Sequence, residues 1–396
     1  MSGKKSPRLL VATPEEIAKG KVADVYFVRS RQILESEGIR KRVRAEVFVK
    51  SLPRNWSWAL FAGLNEVLEL MEGHDVTIRS IPEGTHFRAN FPVFEIEGDY
   101  LDFGIFETAI LGLLCQASGI VTSAARCVKL ADGRPILSFG ARRMHPALAP
   151  MVERNAYIAG CSGVSAVKSA EVLGIEPTGT IPHALIILMG DSVAATMAFD
   201  EIIDPSVPRV ALVDTFGDEK FESLAVAEAM GDKLAAVRLD TTSSRRGNFL
   251  RILQEVRWEL DLRGWKGVKL IASGGINEKS IVNLNQVVNG YGIGTAISGG
   301  PTVDFSMDII EIEGKPIAKR GKMSGSKELF RCRECLTDHV LSRGSDPPVC
   351  DSCGKKTAPL LVTYMEKGKL TVPYPDAEKI RSEVINHLKG LDVEPS

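Results

Sequence analysis

The chain has 396 residues, 44% of them apolar and 25% charged, and its 49 Lys and Arg against 50 Asp and Glu leave a formal net charge of −1. That length sustains two or three domains with substantial cores, and the charge balance excludes a global basic field that would gather nucleic acid. The sequence shows no run of the roughly 20 apolar residues a membrane span needs, and the start, MSGKKSPRLLVATPEE, lacks the apolar stretch of a signal peptide, so a cytoplasmic protein is expected.

In chain order, residues 1–112 read as an α+β sandwich domain, completed by parts of 300–330 and 365–396. RVRAEVFVKS (42–51), HDVTIRSI (74–81) and FPVFEIEGDY (91–100) gather β-formers between turn signals. NWSWALFAGLNEVLELMEG (55–73) has helical apolar spacing and stops at Gly73. Residues 102–133 form a long apolar helical stretch expected at a domain junction.

Residues 113–300 form the catalytic domain, and from 135 the rhythm changes. Strands are expected in RPILSF (134–139), RVALVDTF (209–216), KLAAVRLDTT (233–242), VKLIASGG (268–275) and GYGIGTAISGG (290–300). Helical stretches follow, three of them ending at Gly231, Gly264 and Gly290. This is a series of βα units on a parallel sheet, with both a closed barrel and an open sheet left open. The strands end in polar residues or glycine: Asp214 and Thr215, Arg238 and Asp240, Ser273-Gly274-Gly275, and Gly292 to Thr295. Sites in βα folds lie at these ends. Asp214 and Asp240 also suit helix N-caps, but an Arg-x-Asp and two glycine-rich ends beside them favour a ligand. Glycine tolerates positive φ and leaves backbone N–H groups open to a phosphate.

Near the C-terminus, Cys332-x2-Cys335 and Cys350-x2-Cys353 stand 14 residues apart. Two such pairs complete a closed zinc tetrahedron of four thiolates, so residues 328–364 read as a small structural zinc ribbon, followed by a helical tail at 365–396. Cys115, Cys127 and Cys161 sit in apolar contexts as inert core thiols. The ribbon is charge-mixed and has no aromatic-basic stripe, so nucleic acid is not an expected partner.

Seven pieces in one order carry a resemblance: ADVYF (23–27), SFGARRMHP (138–146), IAGCSGVSAV (158–167), GTIPHA (179–184), RLD (238–240), SGGIN (273–277) and GYGIGTAI (290–297). With the ribbon, the chain resembles the archaeal, zinc-ribbon-bearing nicotinate phosphoribosyltransferases of the type II phosphoribosyltransferase family over almost its whole length. The resemblance implies an incomplete βα barrel with an α+β sandwich and a homodimer with shared active sites, a higher oligomer being compatible with it. It also implies the reaction. Nicotinate attacks C1 of 5-phosphoribosyl-1-pyrophosphate, with Mg²⁺, giving nicotinate mononucleotide and pyrophosphate, coupled to ATP hydrolysis, in NAD biosynthesis.

By the same resemblance, Phe139 and Tyr26 of the partner subunit sandwich the pyridine ring. Arg238 grips the carboxylate and Thr180 adds a hydroxyl. Asp240 accepts from the ribose hydroxyls, and Asp214 lies near the ribose or the metal-pyrophosphate. Arg142 and Arg143 neutralise the pyrophosphate, while Ser273, Gly274, Gly275, Gly294 and Thr295 hold the 5′-phosphate. His183 is the transiently phosphorylated histidine of ATP-coupled relatives, or else a structural histidine ahead of ALIILM. Lys319 and Lys322 reach ATP or pyrophosphate. Cys161-Ser162-Gly163 departs from the Phe-Asp-Gly of many relatives. Two alternatives stand beside this reading: a quinolinate phosphoribosyltransferase, which also removes a carboxylate, and a non-catalytic phosphate-binding barrel with a nucleic-acid-binding ribbon.

Overall fold

The computed structural model describes residues 9–395. It divides into two compact units, Met1–Gly119 with Thr302–Pro375, and Ile120–Pro301 with Asp376–Ser396.

The first unit is built on a seven-stranded antiparallel sheet. Its strand order is Lys315–Pro316, Ser306–Ile312, Arg42–Phe48, Phe94–Asp99, Val76–Ser80, Val362–Glu366 and Lys369–Leu370. Alternation along a strand sends successive side chains to opposite faces. Val43, Val47, Phe94, Ile96, Val76 and Ile78 therefore share the apolar core. Helix Leu64–Met71 covers that core with Leu64, Val67, Leu68 and Met71, at i, i+3, i+4 and i+7 and at most 3% exposed. Burying each such side chain contributes about 1.5–3 kcal/mol. The intervening residues Arg44, Glu46, Glu95 and Arg79 are charged. Strand Lys327–Cys332 of a separate three-stranded sheet brings partners to them: Lys327 Nζ donates to both Glu46 oxygens at 3.0 Å, and Arg79 pairs with Glu328.

Two sequence expectations need correction here. The helix expected over 55–73 starts only at Leu64, and Ala59–Leu60 pairs as a strand with His86–Phe87. Gly63 takes φ +91°, and a Cβ there would stand 2.5 Å from the Leu113 carbonyl oxygen. The apolar run before it is thus a buried strand, which short-range periodicity does not distinguish from helix. Second, the helical stretch Tyr100–Leu130 is long and apolar enough to cross a membrane by composition. Its residues Leu114, Ala117, Ile120, Val121, Ala124 and Ala125 are nevertheless at most 1% exposed, as in the core helix of a globular fold.

The second unit holds six parallel strands in the order Gly163–Val164, Ile136–Ser138, Gly290–Ile293, Lys269–Ala272, Leu234–Leu239 and Arg209–Leu212. Helices Glu219–Met230, Phe249–Leu262 and Glu278–Leu284 return the chain between strands. The two edge strands do not pair with each other, so the curled sheet is an incomplete barrel. The chain between them carries helices Val167–Leu173, His183–Met189 and Ser192–Ile202 instead of further strands. The last helix, Ala377–Leu388, packs on Ala149–Ile158.

Candidate active site

Strand Leu234–Leu239 delivers Arg238 opposite Ile271 and Leu212 on its two neighbours. The side chain is buried, with 8% exposure. Its Nη2 donates to the Ile181 carbonyl at 3.1 Å and Nη1 to Ser273 Oγ at 3.4 Å, while Nε has no partner in the protein. Burial pushes its pKa down from the ordinary arginine value, with Asp240 and Asp214 opposing and Arg142 reinforcing that shift. A buried cation with an unspent donor favours an anionic ligand.

The guanidinium carbon lies 5.8 Å from the centroid of the Phe139 ring. Phe139 follows strand Ile136–Ser138 and is held by its N–H donating to Ile293 O at 2.8 Å. Gly292 makes room for the ring, since a Cβ there would stand 2.5 Å from it. A cavity of about 630 Å³ is lined by Phe139, Arg142, Ser165, Thr180, Pro182 and Arg238, among others. It combines one aromatic wall with two cations and two hydroxyls.

Next to it, Ser273 is 1% exposed, and its Oγ donates to Asp240 Oδ1 at 2.8 Å. Gly274 takes φ +78°, and a Cβ there would lie 2.9 Å from both the carbonyl and Oδ1 of Asp240. Gly275 takes φ +68° but opens to free space, with Arg246 Nη2, at 3.8 Å, the one atom its Cβ would approach. The small residues of this turn thus have three different causes: a buried hydrogen bond, a backbone crossing, and an open face. Gly294 abuts the Phe139 carbonyl and leads into Thr295–Ser298.

Asp214 follows strand Arg209–Leu212, and His183 opens helix His183–Met189. His183 Nε2 lies 3.3 Å from Asp214 Oδ1 without the geometry of a hydrogen bond. The Asp214 side chain is 3% exposed and that of His183 38%. Burial raises the Asp214 pKa, His183 opposes, and Asp240 adds to the rise. The pair therefore presents an accessible imidazole backed by a sequestered carboxylate.

Of the residues expected from sequence, the structure gathers Phe139, Arg142, Thr180 and Arg238 on one cavity, Asp240 with Ser273 and Gly274, and His183 with Asp214. Arg143 is exposed in the short turn Ala141–Arg143. Tyr26 and Lys319 belong to the first unit. Tyr26 is 57% exposed on helix Val25–Ser36, and Lys319, with Lys322, is paired to Asp308.

Sequence reasoning missed Glu153 and Arg246. Glu153, fully buried, accepts from Ser165 N at 2.9 Å, Ser165 Oγ at 2.7 Å and Ala166 N at 2.9 Å, and so fixes a wall of the cavity. Its only signal was to be the one acid of helix Ala149–Ile158, where Arg154 and Asn155 follow it and blur the pattern. Arg246 sits in the polar loop TTSSRRGN just after Arg238-x-Asp240.

In the first unit the sulfurs of Cys332, Cys335, Cys350 and Cys353 lie within 4.8 Å of one another, three of the pairs at 3.4–3.5 Å, and all are free thiols. A tetrahedron on roughly 2.3 Å Zn–S bonds has edges of about 3.8 Å, so the donor set fits zinc. Cys127 and Cys161 are buried and Cys115 half-buried, and burial pushes the Cys161 thiol up to about 12, as suits an inert core thiol.

Two family profiles, described as the N-terminal and C-terminal domains of quinolinate phosphoribosyl transferase, match residues 24–118 and 120–308. The chain is 51% identical to a nicotinate-nucleotide pyrophosphorylase of Pyrococcus furiosus of known structure, covering 98% of this chain and 100% of that one with a TM-score of 0.96. It is 28% identical to a nicotinate phosphoribosyltransferase of Mycobacterium tuberculosis, over 77% of this chain and 76% of the relative. The structure of human nicotinic acid phosphoribosyltransferase shares the fold, with a TM-score of 0.75 at 19% identity over 94% of this chain and 96% of that one.

Proposed function

Because the chain belongs to the quinolinate phosphoribosyltransferase family, the type II phosphoribosyltransferases, we propose that it transfers the phosphoribosyl group of 5-phosphoribosyl-1-pyrophosphate to nicotinate. The products are nicotinate mononucleotide and pyrophosphate, a step of NAD biosynthesis. The observation that carries the choice of acceptor is Arg238, buried beside the Phe139 ring with Nε unpartnered. A guanidinium fork matches a carboxylate, and a ring face suits a pyridine.

In the transfer, the bond from the pyridine nitrogen to C1 forms as the bond from C1 to pyrophosphate breaks, and pyrophosphate keeps that electron pair. Catalysis then rests on position and charge. Arg238 and Phe139 orient the nitrogen, Thr180 adds a hydroxyl, and Asp240 accepts from the ribose. Arg142 and Arg143 face the departing pyrophosphate, and Ser273, Gly274, Gly275, Gly294 and Thr295 seat the 5′-phosphate. The buried Asp214 carboxylate would hold the Mg²⁺ that accompanies the pyrophosphate, and that cation would screen the pyrophosphate charge. Tyr26 of the partner subunit closes the ring stack in a homodimer, and Lys319 serves ATP or pyrophosphate. His183 carries the phosphoryl group in coupling to ATP. His183→Ala is expected to abolish ATP stimulation and leave slow product formation, and unchanged ATP dependence would return His183 to a structural role. The four cysteines hold a structural zinc.

A second reading, transfer to quinolinate with loss of CO₂, is favoured by the description of the matched family. Quinolinate carries two carboxylates, whereas the cavity offers Arg142, exposed, and Arg238 as its cations. The deciding experiment supplies phosphoribosyl pyrophosphate and Mg²⁺ with nicotinate, nicotinamide or quinolinate in turn. Product from nicotinate without CO₂ supports the first reading, and CO₂ released from quinolinate supports the second.

A further inference from the structure

The strand ends assigned to the 5′-phosphate, Ser273, Gly274, Gly275, Gly294 and Thr295, carry no charge of their own. A phosphate monoester brings between one and two negative charges at neutral pH. Asp240, whose Oδ1 is bonded to Ser273, adds another negative charge beside it. Arg238 is turned to the Ile181 carbonyl and the Phe139 ring. A cation is therefore wanted on the far side of the turn.

Arg246 is there. Its Nε donates to the Thr241 carbonyl at 3.0 Å and its Nη2 to the Gly274 carbonyl, which ties the guanidinium to the end of strand Leu234–Leu239 and to the 273–275 turn together. Phe249 supports one face of the group, its ring centroid 4.5 Å from the guanidinium carbon. These two bonds leave Nη1 free. At Gly275, the glycine with open space beside it, Arg246 Nη2 is the one atom that a Cβ would approach. Charge and open backbone thus border the same space.

We propose that Arg246 is a substrate-binding residue that supplies the positive charge for the 5′-phosphate of phosphoribosyl pyrophosphate. This rests on the phosphoribosyl-transfer reading above. Burial lowers its pKa and Asp240 opposes that shift, and an arginine stays charged through such a change. The same contacts set the Gly274 carbonyl, so a purely structural role is the rival.

The test compares Arg246→Met and Arg246→Lys with wild type in steady-state kinetics, with ribose 5-phosphate and pyrophosphate as separate competitive inhibitors. Losing a hydrogen bond to a charged group corresponds to about tenfold to hundredfold in affinity. Arg246→Met is expected to raise KM for phosphoribosyl pyrophosphate and Ki for ribose 5-phosphate by that factor. KM for nicotinate and Ki for pyrophosphate should change little, and Arg246→Lys should recover part of the loss. Equal weakening of all four ligands, or a fall in kcat alone, would make Arg246 a structural tie and overturn the proposal. So would an unchanged Ki for ribose 5-phosphate in Arg246→Met, which carries no charge, while partial recovery in Arg246→Lys, which does, supports it. Wild type that binds neither ribose 5-phosphate nor phosphoribosyl pyrophosphate would instead overturn the transfer reading itself.

Discussion

The two sheets of this protein handle charge in opposite ways. In the antiparallel sheet of the first unit, each buried charge meets its partner within the fold. Arg44 pairs with Glu95, Glu97 and Glu311, Arg79 with Glu95 and Glu328, and Lys327 with Glu46. In the parallel sheet of the second unit, charge at the strand ends is left short. Arg238 meets neutral groups, the Ile181 carbonyl and Ser273, and Asp214 faces the accessible His183 imidazole. Alternation on an antiparallel sheet collects charges on one face, where a further strand can match them. The ends of parallel strands face outward from the barrel, so groups there wait for a ligand. A charge closed within the fold marks architecture, and one left open marks a site.

The strongest challenge to that contrast is to remove the ribbon's metal. One zinc per chain is expected, and its binding supplies on the order of 10 kcal/mol of folding free energy to such modules. Cys350→Ser should lose the zinc and unfold the segment that carries Lys327 and Glu328, exposing strands Arg42–Phe48 and Phe94–Asp99 to hydrogen exchange. Metal analysis showing no zinc in the wild type would remove this account of the ribbon.

Breaking a single closed pair should cost less. Lys327→Ala leaves Glu46, 6% exposed, without its cation, a loss of about 3–5 kcal/mol. Burial already raises the Glu46 pKa, with Lys327 opposing, so the variant's carboxyl titrates higher still. Its folded form then binds a proton that the unfolded chain releases, and the defect should shrink as pH falls toward the ordinary glutamate range. Denaturant melts at several pH values read this out. KM for nicotinate should not move, and a tenfold change would mean that the closed charges serve the site after all.

An open charge should show the reverse pattern, with function lost and stability kept. Arg238→Ala should erase most of the preference for nicotinate over nicotinamide, which at about 1.5–3 kcal/mol for a charged hydrogen bond is tenfold to hundredfold in kcat/KM. Arg238→Lys should restore only part, since an ammonium lacks the fork. If the alanine variant keeps the wild-type ratio, the carboxylate is held elsewhere.

The smallest effect sharpens the contrast at its exception. Glu107, in the first unit, has its pKa raised to about 7 by burial and by Asp308, with Lys319 opposing. Between its ordinary 4.5 and about 7 the folded form holds a proton that the unfolded chain releases, so stability falls as pH rises through that window. Glu107→Gln should flatten the slope and gain about 1 kcal/mol at pH 8, after discounting for partial exposure. A melting profile with the same pH slope as wild type would show that Glu107 is not the group responsible.

The sequence by itself determined the chemistry that lies close along the chain. Helical and strand periods marked the βα units, Arg238-x-Asp240 and Ser273-Gly274-Gly275 marked strand ends, and the paired Cys-x2-Cys spacing marked four sulfurs able to converge. Such signals are local, because a turn, a strand end or a metal knuckle needs only a few neighbouring residues. Only the tertiary structure decided that the barrel stays open between Gly163–Val164 and Arg209–Leu212, that Gly63 caps helix Leu64–Met71 where the Leu113 backbone crosses, and that Lys327 closes on Glu46. The same holds for Glu153, which braces Ser165 and Ala166, and for Arg246, which reaches the Gly274 carbonyl. Each of these joins residues distant along the chain or sets a side chain's direction, and neither strand order nor side-chain direction has a period that a sequence can display.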